Sequence, residues 1–414
     1  MLPSKLLSRS EAVLENIPLS YQRKLIEEID WNDPLIAVIG PRGVGKTTLL
    51  GQKLAELQLP PTQALYLDLG DIAFADLNLL DLAESFLEGG GQYLFLDEVH
   101  RYPRNWAAEI KSLYDYYRQR LKVVFSGSSI LKILNNSADL SRRVQFHHLP
   151  GLSFREYLLL VENLSFDTVE LKELLDNHLE IAFEIRKKLP SNFLSLFQDY
   201  LKYGYYAFTI EGISGYQNRV NAMVQLVLTN DIPYATESRS AHANKLSRLL
   251  QAIASSVPFK PNITKLSERV ELSRVTLLEY LQLLQRANLI QLLSADGKGI
   301  STLAKPDKIY LDNTNLIHVL APNTAEAGTV RETFFFNQLS HLRNRVLAFQ
   351  PEISLPKKGD FIYQYQGDRF VFEVSGPNKT ADQIGRDTNH FTVVDDKASA
   401  SPHRIPLWLF GLLY

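Results

Sequence analysis

The chain has 414 residues, 45% of them hydrophobic and 22% charged, with a net charge of −2 and no cysteine. A length of this order exceeds one ordinary core, so about two to four domains are expected. The balanced charge excludes a global field that would draw the whole chain onto nucleic acid or a membrane, and the missing cysteine excludes disulfides, thiolate metal sites and a cysteine nucleophile.

The first residues, MLPSKLLSRS, lack the long apolar core of a signal peptide. No run approaches the ~18 apolar residues of a membrane span, so a cytoplasmic chain without a membrane partner is expected. The run Leu35-Ile36-Ala37-Val38-Ile39 reads as a buried strand, and Gly40-Pro41-Arg42-Gly43-Val44-Gly45-Lys46-Thr47-Thr48 follows it directly. The pattern G-x-x-x-x-G-K-[ST] after a strand is a phosphate-cradling loop. Gly40, Gly43 and Gly45 allow φ values that other residues avoid, which turns backbone N–H groups inward around a β-phosphate. A helix starting at about Gly45 aims its N-terminal dipole at the same anion. Lys46 places a cation on the β/γ-phosphates, and Thr47 offers its hydroxyl to Mg²⁺. ATP and Mg²⁺ are the expected ligands.

Residues 63–68 read as a second strand and 92–96 as a third, which ends in Asp97-Glu98. Asp97 is placed to hold the Mg²⁺ shell through water and Glu98 to polarise an attacking water. A free Glu, with a pKa of about 4.3, needs no tuning to be ionised at pH 7. Chemistry of this kind is mostly positioning and charge stabilisation. A fourth strand, 121–125, ends in Ser126-Gly127-Ser128-Ser129, and Ser126 or Ser128 is placed to orient the water or contact the γ-phosphate. Either Arg142 or Arg143 has the charge to reach a γ-phosphate, in its own site or a neighbour's. His147-His148 has no third ligand spaced for a metal. Helical stretches between the strands complete a parallel α/β layer.

The stretches 39–50, 95–106 (beginning Phe95-Leu96-Asp97-Glu98-Val99-His100), 109–115, 125–131, 139–143 and 152–158 together resemble a bacterial and archaeal family of AAA-type ATPases that carry a C-terminal domain of unknown function. The resemblance implies an ASCE-type P-loop NTPase sheet, with Glu98 as catalytic glutamate, Ser128 as the sensor-1 residue and Arg143 as the better candidate for the finger or sensor arginine. A finger acting in trans implies a homo-oligomer. The family's Gly-Tyr-Pro turn is matched at Tyr203-Gly204-Tyr205-Tyr206-Ala207-Phe208, where Ala207 replaces the proline and a looser turn is expected.

Residues 151–240 read as helices, with a break at Leu189-Pro190-Ser191-Asn192, and resemble the lid that follows an AAA core. Residues 241–299 read as a winged helix, with helices over 244–255, 264–270 and 273–287, a wing strand over 288–293 and a wing tip at 295–300. The third helix buries Leu277, Leu281 and Leu284 and turns Arg274, Glu279, Gln282 and Arg286 outward, the face that would enter a DNA major groove. Seven basic and three acidic residues over 241–293, against five and nine over 151–200, lend that contact weak electrostatic support.

Residues 300–414 read as a separate α/β unit. Its elements are an aromatic-rich helix after Arg331-Glu332, a strand over 361–365, a turn at Gly367-Asp368, a return strand over 369–374 and a terminal strand at 407–414. The order Glu332, Asp360, Glu373 resembles the restriction-endonuclease-like PD-(D/E)xK core. Active members hold Mg²⁺ on two carboxylates and use a lysine two residues after the second. That position is Ser375 here, and Lys379 lies six residues beyond Glu373, so a binding domain without the nuclease chemistry is expected. The chain divides on this reading into a P-loop core (1–150), a helical lid (151–240), a winged helix (241–299) and an endonuclease-like domain (300–414). The leading expectation is Mg²⁺-dependent ATP hydrolysis that controls the winged helix and C-terminal domain, with DNA a candidate partner. The alternatives are a nucleotide-gated DNA- or protein-binding switch with negligible turnover, and an ATP-controlled nuclease.

Overall fold

The structure, a computed structural model, describes residues 4–127, 140, 142–235, 241–256, 261–297, 305–344, 352–377, 389–397 and 401–414. Contacts gather the chain into two compact units, Met1–Pro150 and Gly151–Tyr414. In the first, α1 (Ser4–Glu15) and α2 (Leu25–Glu28) precede β1 (Leu35–Ile39), α3 (Lys46–Glu56) and β2 (Ala64–Asp68). Then come α4 (Leu79–Glu88), β3 (Tyr93–Asp97), α5 (Trp106–Tyr117), β4 (Lys122–Gly127) and β5 (Gln145–His148). The strands form one parallel sheet in the order β2-β3-β4-β1-β5.

A parallel strand covered on both faces can be apolar throughout, and β1 is. Leu35, Ala37 and Ile39 join one core with Leu65, Leu94, Phe125 and Ile110. Ile36 and Val38 join another with Leu49, Leu50, Phe95 and Val124. Side-chain caps start the flanking helices: Asn78 accepts from the N–H groups of Leu80 and Asp81, and Asn105 from that of Ala108. On the edge strand, Ser10 of α1 accepts the outward N–H of Tyr66 at 3.0 Å, which covers part of the exposed ladder. The register sets Ile39 beside Gly127 and His148, and Asp68 beside Asp97. The chemistry-bearing strand ends therefore share one edge of the sheet.

The second unit begins with α6 (Phe154–Glu162), α7 (Leu171–Lys188), α8 (Phe193–Tyr203), α9 (Tyr216–Leu226) and α10 (Ile232–Ala235). A capping box between Ser153 and Glu156 starts α6. Next come α11 (Ala241–Ala254), α12 (Ile263–Val270), α13 (Arg274–Arg286), β6 (Ile290–Leu293) and β7 (Lys308–Leu311). β6 and β7 pair antiparallel, joining residues on both sides of position 300. Leu277, Leu281 and Leu284 of α13 are buried, and Arg274, Glu279 and Arg286 are exposed. Residues 298–300 of the expected wing tip lie outside the described residues.

After α14 (Thr314–Leu320) and α15 (Ala327–Asn344) come β8 (Glu352–Ser354), β9 (Phe361–Tyr365), β10 (Asp368–Ser375), β11 (His390–Val394) and β12 (Arg404–Pro406). They form a mixed sheet in the order β12-β11-β10-β9-β8, antiparallel from β8 to β10 and parallel from β10 to β12. Aromatic contacts run through the unit: Phe154–Phe197 at 5.0 Å, Phe197–Phe334 at 5.1 Å, Phe335–Phe372 at 5.0 Å and Phe193–Trp408 at 5.3 Å.

Three sequence expectations are corrected here. The run Leu407–Leu412 is a 3₁₀ helix, not a strand, and all of it is buried. An unbroken apolar run carries no alternation, so burial on every side accommodates either geometry. The β9–β10 turn is Gln366-Gly367, at φ 50° and 92°, with Asp368 already paired to Tyr365; two successive positive φ values match the strand twist. Finally, the turn at Ala207 is tightly fixed. Gly204 has no room for a Cβ, which would meet Tyr200 Cα at 2.7 Å. The Tyr205 N–H donates to Asn315 Oδ1 at 2.9 Å, and the Tyr205 carbonyl accepts from Leu152 at 2.7 Å.

Candidate nucleotide site

The loop leaving β1 is built as a cradle. Gly43 and Gly45 take φ values of 82° and 97°, which only glycine adopts at no cost. Gly40 is needed for another reason: a Cβ there would lie 2.1 Å from the Leu149 carbonyl oxygen, so the expected φ freedom gives way to close backbone approach. Val44 is fully buried and packs with Leu49 and Leu50. Lys46 is 4% exposed, and its ammonium donates to the carbonyls of Gly40 at 3.0 Å and Pro41 at 2.7 Å. Thr47 and Thr48 follow in the first turn of α3, whose N-cap is Gly45.

Asp97 is the hub. Its Oδ2 accepts from the Thr47 hydroxyl at 2.6 Å and the Tyr66 hydroxyl at 2.7 Å. Its Oδ1 accepts from the Ser126 hydroxyl and, at 3.0 Å, from the Glu98 N–H. All four donors are neutral. Burial, then the Asp97 charge, pushes the Tyr66 hydroxyl far above the ordinary phenol range, so it acts only as a donor.

Glu98 sits in the left-handed region at φ 54°, a strained position for a residue with a Cβ. Its Oε2 lies 3.7 Å from Arg42 Nη2 and 3.4 Å from the buried His100 Nε2. Burial, and then the Lys46 charge, lowers the His148 pKa to about 4, so that imidazole is neutral at pH 7.

The sheet brings Lys46, Thr47, Asp97 and Ser126 together. Ser126, one of the two serines read from the sequence, binds Asp97; Ser128 lies outside the described residues, as do Ser129 and Ser141. Arg143 is elsewhere. It precedes β5, whose Gln145 pairs with Ile36, at the opposite end of β1 from the loop. There it grips Asp115 through Nε at 2.7 Å and Nη2 at 3.1 Å. Arg142 is exposed. Sequence reasoning missed Tyr66, His100 and Arg23, whose guanidinium donates to the carbonyls of Val44 at 2.8 Å and Pro150 at 2.9 Å. Alternation along β2 could have flagged Tyr66, which shares its sheet face with Ala64 and Phe95. Nothing local marks Arg23.

In the second unit Glu332, Asp360 and Lys308 converge. The Lys308 ammonium lies 3.2 Å from Glu332 Oε2 and 3.5 Å from Asp360 Oδ1. Tyr310 donates to Glu332 Oε2 at 2.7 Å, and the Val374 N–H to Asp360 Oδ2 at 2.9 Å. Burial, then the facing Glu332, raises the Asp360 pKa; the Glu373 charge adds to that rise. Ser375 is buried, and Lys379 lies outside the described residues.

Residues 32–158 match the family model of an AAA domain, and residues 194–327 that of a domain of unknown function, DUF8612. An uncharacterized protein of Methanocaldococcus jannaschii, MJ1637, is 28% identical over 287 residues, which make up 66% of this chain and 60% of that protein. The chain thus spans less than two thirds of that relative's length. Among solved structures, the Thermotoga maritima RuvB Holliday junction branch migration motor aligns over 70% of this chain and 87% of its own, at 17% identity and TM-score 0.26. AMPPCP-bound DnaA from Aquifex aeolicus aligns over 69% and 89%, at 14% identity and TM-score 0.26. C. elegans PCH-2 aligns over 56% and 66%, at 15% identity and TM-score 0.31. Among the described residues no helix is long and apolar enough to cross a membrane. The cradle geometry and the AAA-domain match agree on a P-loop nucleotide-binding domain in the first unit.

Proposed function

We propose that this chain is a Mg²⁺-dependent ATPase whose turnover controls the second unit. The observation that carries this reading is Asp97, a carboxylate oriented by four neutral donors, with Glu98 next to it. The Thr47 hydroxyl and Asp97 carboxylate, 2.6 Å apart, fit a divalent cation held partly through water. A Mg²⁺ ion held by Thr47 and Asp97 would supply charge neutralisation for a transferred phosphoryl group. Lys46 exchanges its loop carbonyls for phosphate oxygens, and Glu98 orients the attacking water. Ser128 completes the water and γ-phosphate contacts. Arg143 serves a neighbour's nucleotide rather than its own, because its own loop leaves the other end of β1.

Residues 151–240 then act as a lid, 241–299 as a winged helix and 300–414 as an endonuclease-like layer. Support for the winged helix is the succession α11, α12, α13, β6, with Arg274 and Arg286 exposed on α13 for phosphate contact with DNA. The test is phosphate release by the wild type and Glu98→Gln, with and without DNA, RNA and cell lysate. A wild-type rate no higher than that of Glu98→Gln under every condition would remove the ATPase reading.

A second reading, a nucleotide-gated switch with negligible turnover, is favoured by one contact. Glu98 faces Arg42 and His100 at 3.7 and 3.4 Å, an arrangement that occupies the carboxylate needed for water. The same assay separates the two.

A further inference from the structure

The endonuclease-like resemblance implies a divalent cation on the acidic residues of the second unit, assisted by a lysine at position 375. The residues present do not fit that ion. We propose that Lys308 is the resident cation of the Glu332–Asp360 cluster, so that this cluster ties β7 to α15 and β9 instead of holding a metal.

Three observations carry the inference. First, one ammonium lies 3.2 Å from Glu332 Oε2 and 3.5 Å from Asp360 Oδ1, two carboxylates that come from different elements. A Mg²⁺ ion needs oxygen ligands at about 2.1 Å, and to bridge this pair it would have to take the space that the ammonium fills. Second, both carboxylates already hold other hydrogen bonds. Glu332 Oε2 accepts from both Lys308 and Tyr310, and Asp360 Oδ2 accepts from the Val374 N–H. Third, Ser375 cannot supply the charge of the expected lysine, and its buried hydroxyl has no hydrogen-bond partner among the described residues. Those residues also contain no group of three His, Cys, Asp or Glu arranged to hold a metal.

The positive charge therefore enters from another strand. Lys308 opens β7, which is paired with β6, while Glu332 lies on α15 and Asp360 directly precedes β9. Its side chain is 12% exposed, against 17% and 20% for its two partners. An ammonium shared by two carboxylates at this depth is hard to withdraw, because removal leaves buried charge without compensation. The cluster thus links the β6–β7 hairpin to the C-terminal sheet.

The test is Tb³⁺ luminescence of the full chain, excited through tyrosine; the Tyr310 hydroxyl, 2.7 Å from Glu332, is a built-in sensitiser. The P-loop also binds cations, so only the signal removed by Asp360→Asn counts. Wild type is expected to show no such signal. Lys308→Met should gain one, because removing one adjacent unit charge from a half-buried site changes cation affinity by at least about tenfold. An Asp360-dependent signal in wild type overturns the proposal, and so does a folded Lys308→Met variant that gains none. If Lys308→Met does not fold, Lys308→Gln replaces it. If neither folds, wild type against Asp360→Asn decides, since a signal lost there is a metal and no loss upholds the lysine.

Discussion

Asp97 in the first unit and Asp360 in the second are both carboxylates at the edge of a sheet, and they are treated in opposite ways. Asp97 receives hydrogen bonds from Thr47, Tyr66, Ser126 and the Glu98 N–H, none of which brings a charge. Neutral donors orient a carboxylate without cancelling it, so it can still attract a cation. Asp360 shares the Lys308 ammonium with Glu332, and an ion pair removes that attraction. The lesson is that an acidic motif alone does not mark a metal site; the charge of the groups that hold it decides.

The largest way to break the contrast is to strip the first site of its own cation. Lys46→Ala should leave no saturable ATP binding below about 1 mM, the level at which some −4 kcal/mol of affinity remains. Fluorescent-nucleotide titration checks it. Gly40→Ala should act similarly while leaving Lys46 in place, because its Cβ would meet the Leu149 carbonyl oxygen at 2.1 Å. Next in size, Glu98→Gln should keep ATP bound while phosphate release falls by about 10²–10⁴, the range for a positioned acid or base. Single-turnover kinetics separates the two effects.

The first of these sites was largely legible in the sequence, because a P-loop is local. Gly40 to Thr48 and Asp97-Glu98 each follow a strand whose apolar run can be read directly, and the sheet needs only to align the strand ends. The supporting groups were not legible. Tyr66 reaches Asp97 across 31 positions, and Arg23 reaches Pro150 across 127; only the tertiary fold makes such pairs. Lys308 fails for the same reason. The sequence points to position 375 for a lysine, and the charge arrives from another strand. In the second unit, periodicity located helices well but misread 407–414, where uniform burial erases any pattern.

Asp312 extends the comparison to a carboxylate that has neutral donors and no access for a cation. It is 3% exposed, with the Asn313 amide at 3.3 Å and the Tyr205 hydroxyl at 3.5 Å. Burial raises its pKa from 3.8 to about 7. The sign follows from linkage: the folded state holds a proton that the unfolded chain releases. Its stabilising contribution is complete below about pH 4 and declines as pH rises toward 7, by an amount on the order of a few kcal/mol. Asp312→Asn keeps the shape without the ionisation. Its melting temperature should change less than wild type's across that window, and should exceed wild type's at pH 8. Parallel plots of melting temperature against pH for the two proteins would show that Asp312 is charged in the fold.

The smallest effect sharpens the contrast most. Tyr66→Phe removes one of the four donors to Asp97 and leaves the ring in the core cluster that includes Ala64, Phe95 and Leu50. A hydrogen bond to a charged group contributes about 1.5–3 kcal/mol, but Thr47 still holds the same oxygen, so the loss should fall near the lower end. If the hydroxyl orients Asp97 toward a cation, the Mg²⁺ concentration for half-maximal phosphate release should rise about three- to tenfold. The rate at saturating Mg²⁺ should stay unchanged. Removing Tyr66's hydroxyl would then weaken a cation site, whereas removing Lys308's ammonium creates one. A Mg²⁺ titration of both enzymes measures it. If half-activation matches wild type while the melting temperature falls, the Tyr66 hydroxyl stabilises the fold alone, and neutral donors do not account for how Asp97 attracts its cation.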